Sequence, residues 1–307
     1  MAGLIALGSE LYIAPRERAL LRSDLLDIQE DYFRRYASFI DRMRFASEAE
    51  PDGRIVLVKE DVPPIPTVRT VMGAWPKDRS YINVFAHDFK HPDYSGQDIA
   101  ATPWASRFLV ASEKENALSY HVASMQISDD KSSVRFNELR DCVLAWSKHL
   151  RPAHGQAGFA AVMEIAGEIG NAPFVYPTMQ RYLGLDVHVP VSFIGEAEGV
   201  FNRIKCINWL TVLGDAILNE LGGLSAARDA LEPDCVFYPY PGGVVIQAGE
   251  WPCVCDVEQE PIMPKAYHKV AAFTKPVRFT GYRSSLFRVA KPLVAIEEAK
   301  KWVSRFD

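Results

Sequence analysis

The stretch CVFYPYPGGVVIQAG, Cys235 to Gly249, holds two β-rich runs separated by Pro241–Gly242–Gly243. Val, Phe, Tyr and Ile suit the pleated surface of a strand. A Pro-Gly-Gly corner supplies the fixed φ and the positive φ that a reversing chain needs. The stretch reads as a β-hairpin, so the sheet that contains it has antiparallel neighbours. Its glycines lie between two strand runs rather than at a strand-to-helix junction, which makes them a turn and not a phosphate cradle.

Reading outward toward the C-terminus, GEWPCVCDVEQEP, Gly249 to Pro261, carries Cys253-x-Cys255 and the acids Glu250, Asp256, Glu258 and Glu260, with no Lys or Arg among them. Residues two apart in a strand point the same way, so the two cysteines read as one side of an extended segment. PKAYHKVAAFTKPV reads as a helix opening on Pro264. Lys291 to Phe306 reads as another, with Pro292 in its first turn. Toward the N-terminus, RIKCINWLT (Arg203 to Thr211) reads as a strand. It runs into the helix VLGDAILNELGG, which stops at Gly222–Gly223. LSAARDALEP reads as a short helix capped by Ser225. HGQAGFAAVM reads as a strand, and a helix is expected before Gly184.

In the first half, MAGLIALGSELYIAPRER reads as an opening strand. Arg22 to Glu50 reads as a helix, because Leu25, Ile28, Tyr32, Tyr36, Phe39, Ile40 and Met43 recur at spacings of three and four, with Ser23 as N-cap. RIVLV (Arg54 to Val58), YINVFAH (Tyr81 to His87) and ALSYHVASMQIS (Ala117 to Ser128) read as strands. VRFNELRDCVLAWSKHL (Val134 to Leu150) reads as an amphipathic helix. Phe136, Leu139, Val143, Leu144 and Trp146 share its face, and Cys142 serves as a small core residue beside them. Strands and helices alternate without a regular βαβ beat. The expected fold is therefore α+β, with mixed, mainly antiparallel sheets and flanking helices. No low-complexity tract or polar linker divides the chain, so residues 1–307 are expected to form one domain, with 1–150 and 151–307 as similar halves in the alternative organisation.

Hydrophobic residues make up 48% of the 307 and charged residues 24%, enough apolar material for a core that needs no disulfide or metal staple. The net charge of −5 argues against a nucleic-acid binder, which clusters Lys and Arg to neutralise phosphates. The opening residues lack a basic n-region and no apolar run reaches the roughly 18 residues of a membrane span, so the expectation is a cytoplasmic protein with free thiols. Five cysteines, an odd count, exclude a complete disulfide framework.

The residues point to no catalytic signature. P-loop, G-x-G-x-x-G, G-x-S-x-G and H-E-x-x-H patterns are missing. Cys253 or Cys255 with His268 or Asp256 is the one conceivable nucleophile arrangement, but four acids without a cation raise a thiol's pKa rather than lower it. A zinc site needs a second Cys or Cys/His pair, and Cys206 and Cys235 stand alone. His87 and His91 in HDFKH would share a face only on a helix, which Pro92 opposes. His154 reads as a buried polar turn. No catalytic residue, metal ligand or cofactor is expected. Two acidic, aromatic-flanked segments remain as candidate partner surfaces: Glu250, Trp251, Asp256, Glu258 and Glu260 after the hairpin, and Asp88, Phe89, Asp93, Tyr94 and Asp98 in the polar loop after YINVFAH.

INWLTVLGDAILNELGG (Ile207 to Gly223), GGVVIQAGEWPCVCDV (Gly242 to Val257) and AYHKVAAFTKPVR (Ala266 to Arg278), in that order, resemble the bacterial type VI secretion immunity family cognate to VRR-type nuclease effectors. PAHGQAGFAA (Pro152 to Ala161) and RYLGLDV (Arg181 to Val187) resemble its central stretches. The resemblance spans Ala117 to Arg278. One departure stands out: where the family pattern runs Pro-x-Leu-Gly-Asp, this chain reads Pro252-Cys253-Val254-Cys255-Asp256, with Cys255 in the place of glycine. The resemblance implies a non-catalytic protein that binds a toxic effector and blocks its active site, with the shared motifs serving the fold and the contact residues lying outside them. An enzyme with a Cys/acid site near Gly249–Pro261 and a metal-binding module are the alternatives.

Overall fold

The computed structural model describes residues 5–15, 18–36, 42–47, 50–57, 81–87, 105–111, 116–125, 133–161, 168–197, 201–259 and 263–307. Its strands are β1 (Ile5–Ile13), β2 (Arg42–Ser47), β3 (Glu50–Leu57), β4 (Tyr81–His87), β5 (Ala105–Ala111), β6 (Asn116–Met125), β7 (His154–Ala161), β8 (Asp186–Val187), β9 (Leu210–Gly214), β10 (Cys235–Tyr240) and β11 (Gly243–Ala248). Its helices are α1 (Arg18–Tyr36), α2 (Ser133–Leu150), α3 (Glu168–Arg181), α4 (Pro190–Glu196), α5 (Asp215–Glu220), α6 (Gly223–Leu231), α7 (Lys265–Thr274) and α8 (Ala295–Val303). The strands join in one sheet of order β10-β11-β9-β7-β1-β6-β5-β4-β2-β3. Every pairing is antiparallel except that of the two-residue β8, which runs parallel to β7. The expected α+β class with mainly antiparallel pairing is what the chain adopts.

The hairpin that opened the reading is β10–β11. Cys235 pairs with Ala248 and Tyr240 with Gly243, leaving Pro241–Gly242 as the turn. Gly242 takes φ +110, a conformation that L side chains rarely adopt. Gly243 is glycine for a different reason: a Cβ there would stand 2.3 Å from the carbonyl oxygen of Leu213 on the neighbouring β9.

Strands β1, β7, β9 and β11 are buried at every position, so this half of the sheet is covered on both faces. The register divides the two faces. Leu7 pairs with Phe159, and α2 lies over that side, placing Phe136 against Phe159 with ring centroids 5.8 Å apart. On the opposite side Tyr12 pairs with His154, which stacks on it at 4.5 Å, and Phe193 of α4 packs edge-on against both. Glu10 and Gln156 are register partners on this second face. The helix α2 buries Phe136, Leu139, Val143 and Trp146 of its expected stripe together with Cys142 and Leu150, while Leu144 is only partly buried; each large buried one contributes about 1.5–3 kcal/mol.

Several expected boundaries move, each for a tertiary reason. The helix expected over Arg22–Glu50 runs from Arg18 to Tyr36, so Ser23 lies inside it, and Met43 belongs to β2, which is paired on both sides by β3 and β4. The strand expected over Arg203–Thr211 is confined to Leu210–Gly214. Just before it the Asn208 side chain accepts the Trp209 N–H at 2.8 Å and withholds it from a ladder. Val212, Leu213 and Gly214 are therefore strand, and the following helix begins at Asp215. Helix α6 starts at Gly223 with Gly222 as its cap at φ +93, ahead of the expected Ser225. The last helix covers Ala295–Val303 only, with Pro292 preceding it. Pro264 does cap its helix as expected. Cys206 sits in the irregular approach to β9 rather than on a strand.

Candidate functional site

After β11 the chain turns at Gly249, whose φ is +77. The Gln247 amide holds the turn by donating to the carbonyls of Gly249 and Glu250, at 3.0 and 3.1 Å. Glu250 is exposed. Trp251 is half-buried, its ring 5.8 Å from that of Phe136 on α2. The Cys253 N–H donates to the Tyr267 hydroxyl oxygen at 3.2 Å, which ties the segment to α7.

Cys253 and Cys255 do not form the extended pair expected of them. Cys255 takes φ +53, and its N–H points back to the Cys253 sulfur at 3.1 Å. Glycine adopts this left-handed conformation without strain, whereas a residue with a Cβ rarely does. The Cys255 thiol is pushed well above its ordinary pKa, first by its interaction with Cys253 and then by burial. Burial also raises Cys206 and Cys235 to about 11 and Cys142 to about 12. Thiols shifted in this direction are poorer nucleophiles at neutral pH.

The acids behave differently from what their run of sequence implied. Asp256 is buried and accepts hydrogen bonds from Nε and Nη2 of Arg181, both at 3.1 Å. It also accepts the Glu258 N–H at 3.0 Å. These bonds, Arg181's first, hold its carboxyl below the usual carboxylate range. Arg181 reaches Glu258 as well, at 2.7 Å, while the Glu258 side chain remains 63% exposed. The segment thus receives a cation from α3 that no local spacing announced. Glu250 and Glu258 face solvent, whereas Asp256 is an internal anchor. Glu260, and Asp88, Phe89, Asp93, Tyr94 and Asp98 of the second candidate segment, lie outside the described residues, as does His91.

Backbone contacts fix the segment against residues 181–184. The N–H groups of Leu183 and Gly184 donate to the carbonyls of Cys255 and Val254, at 3.0 and 2.9 Å, and the Val257 N–H donates to Arg181 O at 2.9 Å. A Cβ on Gly184 would lie 1.9 Å from the Cys253 carbonyl oxygen, so only glycine admits this approach.

Two residues further on, Asp186 enters a buried ionic cluster that no local spacing announces. Lys205 Nζ binds Glu10 of β1, stands 3.4 Å from Asp186 and donates to the Val187 carbonyl at 2.7 Å. The Gln156 amide bridges Glu10 and Asp186 at 2.8 and 2.9 Å. His188 lies 3.8 Å from Asp186. Burial lifts Glu10 above its ordinary value. For Asp186 burial acts in the same direction but is overcome by Lys205 and His188, and its pKa falls. Burial lowers His188 to about 4, which keeps it neutral near pH 7. The cluster joins β1, β7 and β8 beneath the acidic segment. Among the described residues no three His, Cys, Asp or Glu side chains converge on a metal position, and no helix is long and apolar enough to cross a membrane.

The family described as "Type VI immunity for VRR-NUC" matches residues 112–306. Among solved structures, the chain is similar to the Pseudomonas aeruginosa T6SS protein PA0821, with 23% identity and a TM-score of 0.79, covering 99% of this chain and 82% of that one. That likeness shows a shared fold. A structure of the toxic C-terminal tip of CdiA from Pseudomonas aeruginosa in complex with immune protein aligns over 50% of this chain and 86% of that chain, at 13% identity and a TM-score of 0.26, too low to argue from. No curated protein matches the chain.

Proposed function

Because this chain belongs to the family of type VI immunity proteins for VRR-NUC, we propose that it binds a cognate type VI effector, a nuclease, and neutralises it by covering the active site. The observation that carries the reading is the family match, which extends over residues 112–306 and so includes the hairpin, the acidic segment and the buried cluster. The protein acts by occupancy rather than by chemistry, a reading supported by four thiols whose pKa values are all raised. Neutralisation takes place in the cytoplasm, before the effector reaches nucleic acid.

The docking surface is the segment after the hairpin. Glu250 and Glu258 present negative charge, Trp251 supplies an aromatic anchor, and Asp256 holds the backbone in place through Arg181. Glu260 and the Asp88, Phe89, Asp93, Tyr94, Asp98 segment extend the same chemistry. A nuclease presents basic residues where it grips phosphates, and clustered acids both steer such a surface into encounter and mask it once bound. Co-expression with a cognate type VI effector tests the proposal: relief of toxicity with co-purification is expected, and persistent toxicity without a complex would end it.

A further inference from the structure

The 3-10 turn Lys275–Val277 follows α7, and the chain then runs through Arg278–Tyr282 against the C-terminal end of α8. Between them lies a cavity of about 310 Å3. Its wall carries three cationic side chains, Lys275, Arg278 and Lys300, and one carboxylate, Asp307. Asp307 is engaged by Arg278 Nη2 at 2.7 Å and by Lys275 Nζ at 3.2 Å. Among the side chains of the wall, three cations face one carboxylate.

Two further groups are unmet. Tyr282 and Arg278 are only 5% and 7% exposed, yet the Tyr282 hydroxyl and the Arg278 Nε have no hydrogen-bond partner among the described residues. A buried donor left unpaired costs about 1–3 kcal/mol, and here two such donors belong to one cavity. A ligand that brings several acceptor oxygens and about two negative charges satisfies both and balances the cations. Asp307 already supplies the flat two-oxygen acceptor. The donors still available belong to two elements of the wall, Arg278 and Tyr282 to the run after the 3-10 turn and Lys300 to α8, and a tetrahedral oxyanion offers acceptors to both. Phosphate carries about −1.5 to −2 near pH 7 and offers acceptors in several directions.

We propose that this cavity, walled by Lys275, Arg278, Tyr282 and Lys300, is a binding site for a free oxyanion of the phosphate class, with Asp307 as an internal competitor for two of its cations. The site is separate from the acidic segment and stands or falls independently of effector binding.

Calorimetric titration of the full chain with inorganic phosphate at low ionic strength, against matched chloride, tests it. The wild-type chain binds phosphate at one site. Lys300→Ala and Tyr282→Phe each weaken binding about tenfold, and Asp307→Asn tightens it. Tyr282→Phe removes one oxygen and keeps the ring, so its melting temperature separates lost binding from lost folding. Absence of phosphate binding by the wild-type chain overturns the proposal, and so does an affinity unchanged in Lys300→Ala or in a folded Tyr282→Phe.

Discussion

Arg181 closes on Asp256 with two hydrogen bonds of 3.1 Å, one from Nε and one from Nη2. The pair joins the end of α3 to a segment 75 residues away in sequence and divides the acids of that segment into two kinds. Asp256 is structural, spent on an arginine fork that matches carboxylate geometry. Glu250 and Glu258 stay exposed to solvent, Glu258 while also bridging to Arg181 at 2.7 Å.

That division gives the first prediction. Glu250→Lys combined with Glu258→Lys weakens effector binding at least tenfold, mainly through slower association, and leaves the melting temperature near that of the wild type. Surface plasmon resonance at two salt concentrations measures it. Equal affinity in the charge-reversed protein would show that the segment is merely solvated.

Gly184 lies where no side chain fits. Gly184→Ala places a methyl group against the Cys253 carbonyl at 1.9 Å, so the segment must shift. A loss of about 3 kcal/mol or more in denaturant unfolding is expected, together with weaker effector binding.

The buried cluster is sensitive to the loss of its one ammonium group. Lys205→Met leaves Glu10 and Asp186 facing each other without their shared cation. Removing one partner of a fully buried ion pair costs about 3–5 kcal/mol, so chemical denaturation should show a loss of that size, with Glu10→Gln milder.

His188 makes the fold pH-dependent in a defined window. Its pKa is lowered to about 4 from an ordinary 6.5, chiefly by burial. The unfolded chain therefore takes up a proton at higher pH than the folded one. Stability contributed by the neutral ring is full above 6.5 and falls as the pH drops toward 4, by roughly 3 kcal/mol in total. Denaturant melts of the wild type and of His188→Asn between pH 7 and 4 check this: the variant's curve is flatter across that window.

Much of the fold was legible because local chemistry and tertiary structure agree. The Pro-Gly corner of β10–β11 needs a positive φ at Gly242, and the stripe of α2 has one face to bury. The β4 boundaries follow its β-rich run without adjustment. Prediction failed where a distant partner decides the outcome. Met43 has helical spacing with the residues before it, but β3 and β4 pair with it as a strand. Cys255 looked like half of an extended cysteine pair, whereas its φ of +53 makes it a turn residue in a conformation that favours glycine. Arg181 and Lys205 were invisible as partners because Asp256 and Glu10, which they hydrogen-bond, lie 75 and 195 residues away. No periodicity encodes a contact of that separation.

Co-expression of the chain with its proposed cognate type VI effector, followed by size-exclusion chromatography and a nuclease assay of the purified complex, tests the central claim most directly. The account predicts surviving cells, a stable complex and loss of nuclease activity that returns when the partners are separated. Cell death with the two proteins eluting apart, or a complex that still cleaves its substrate, would contradict it.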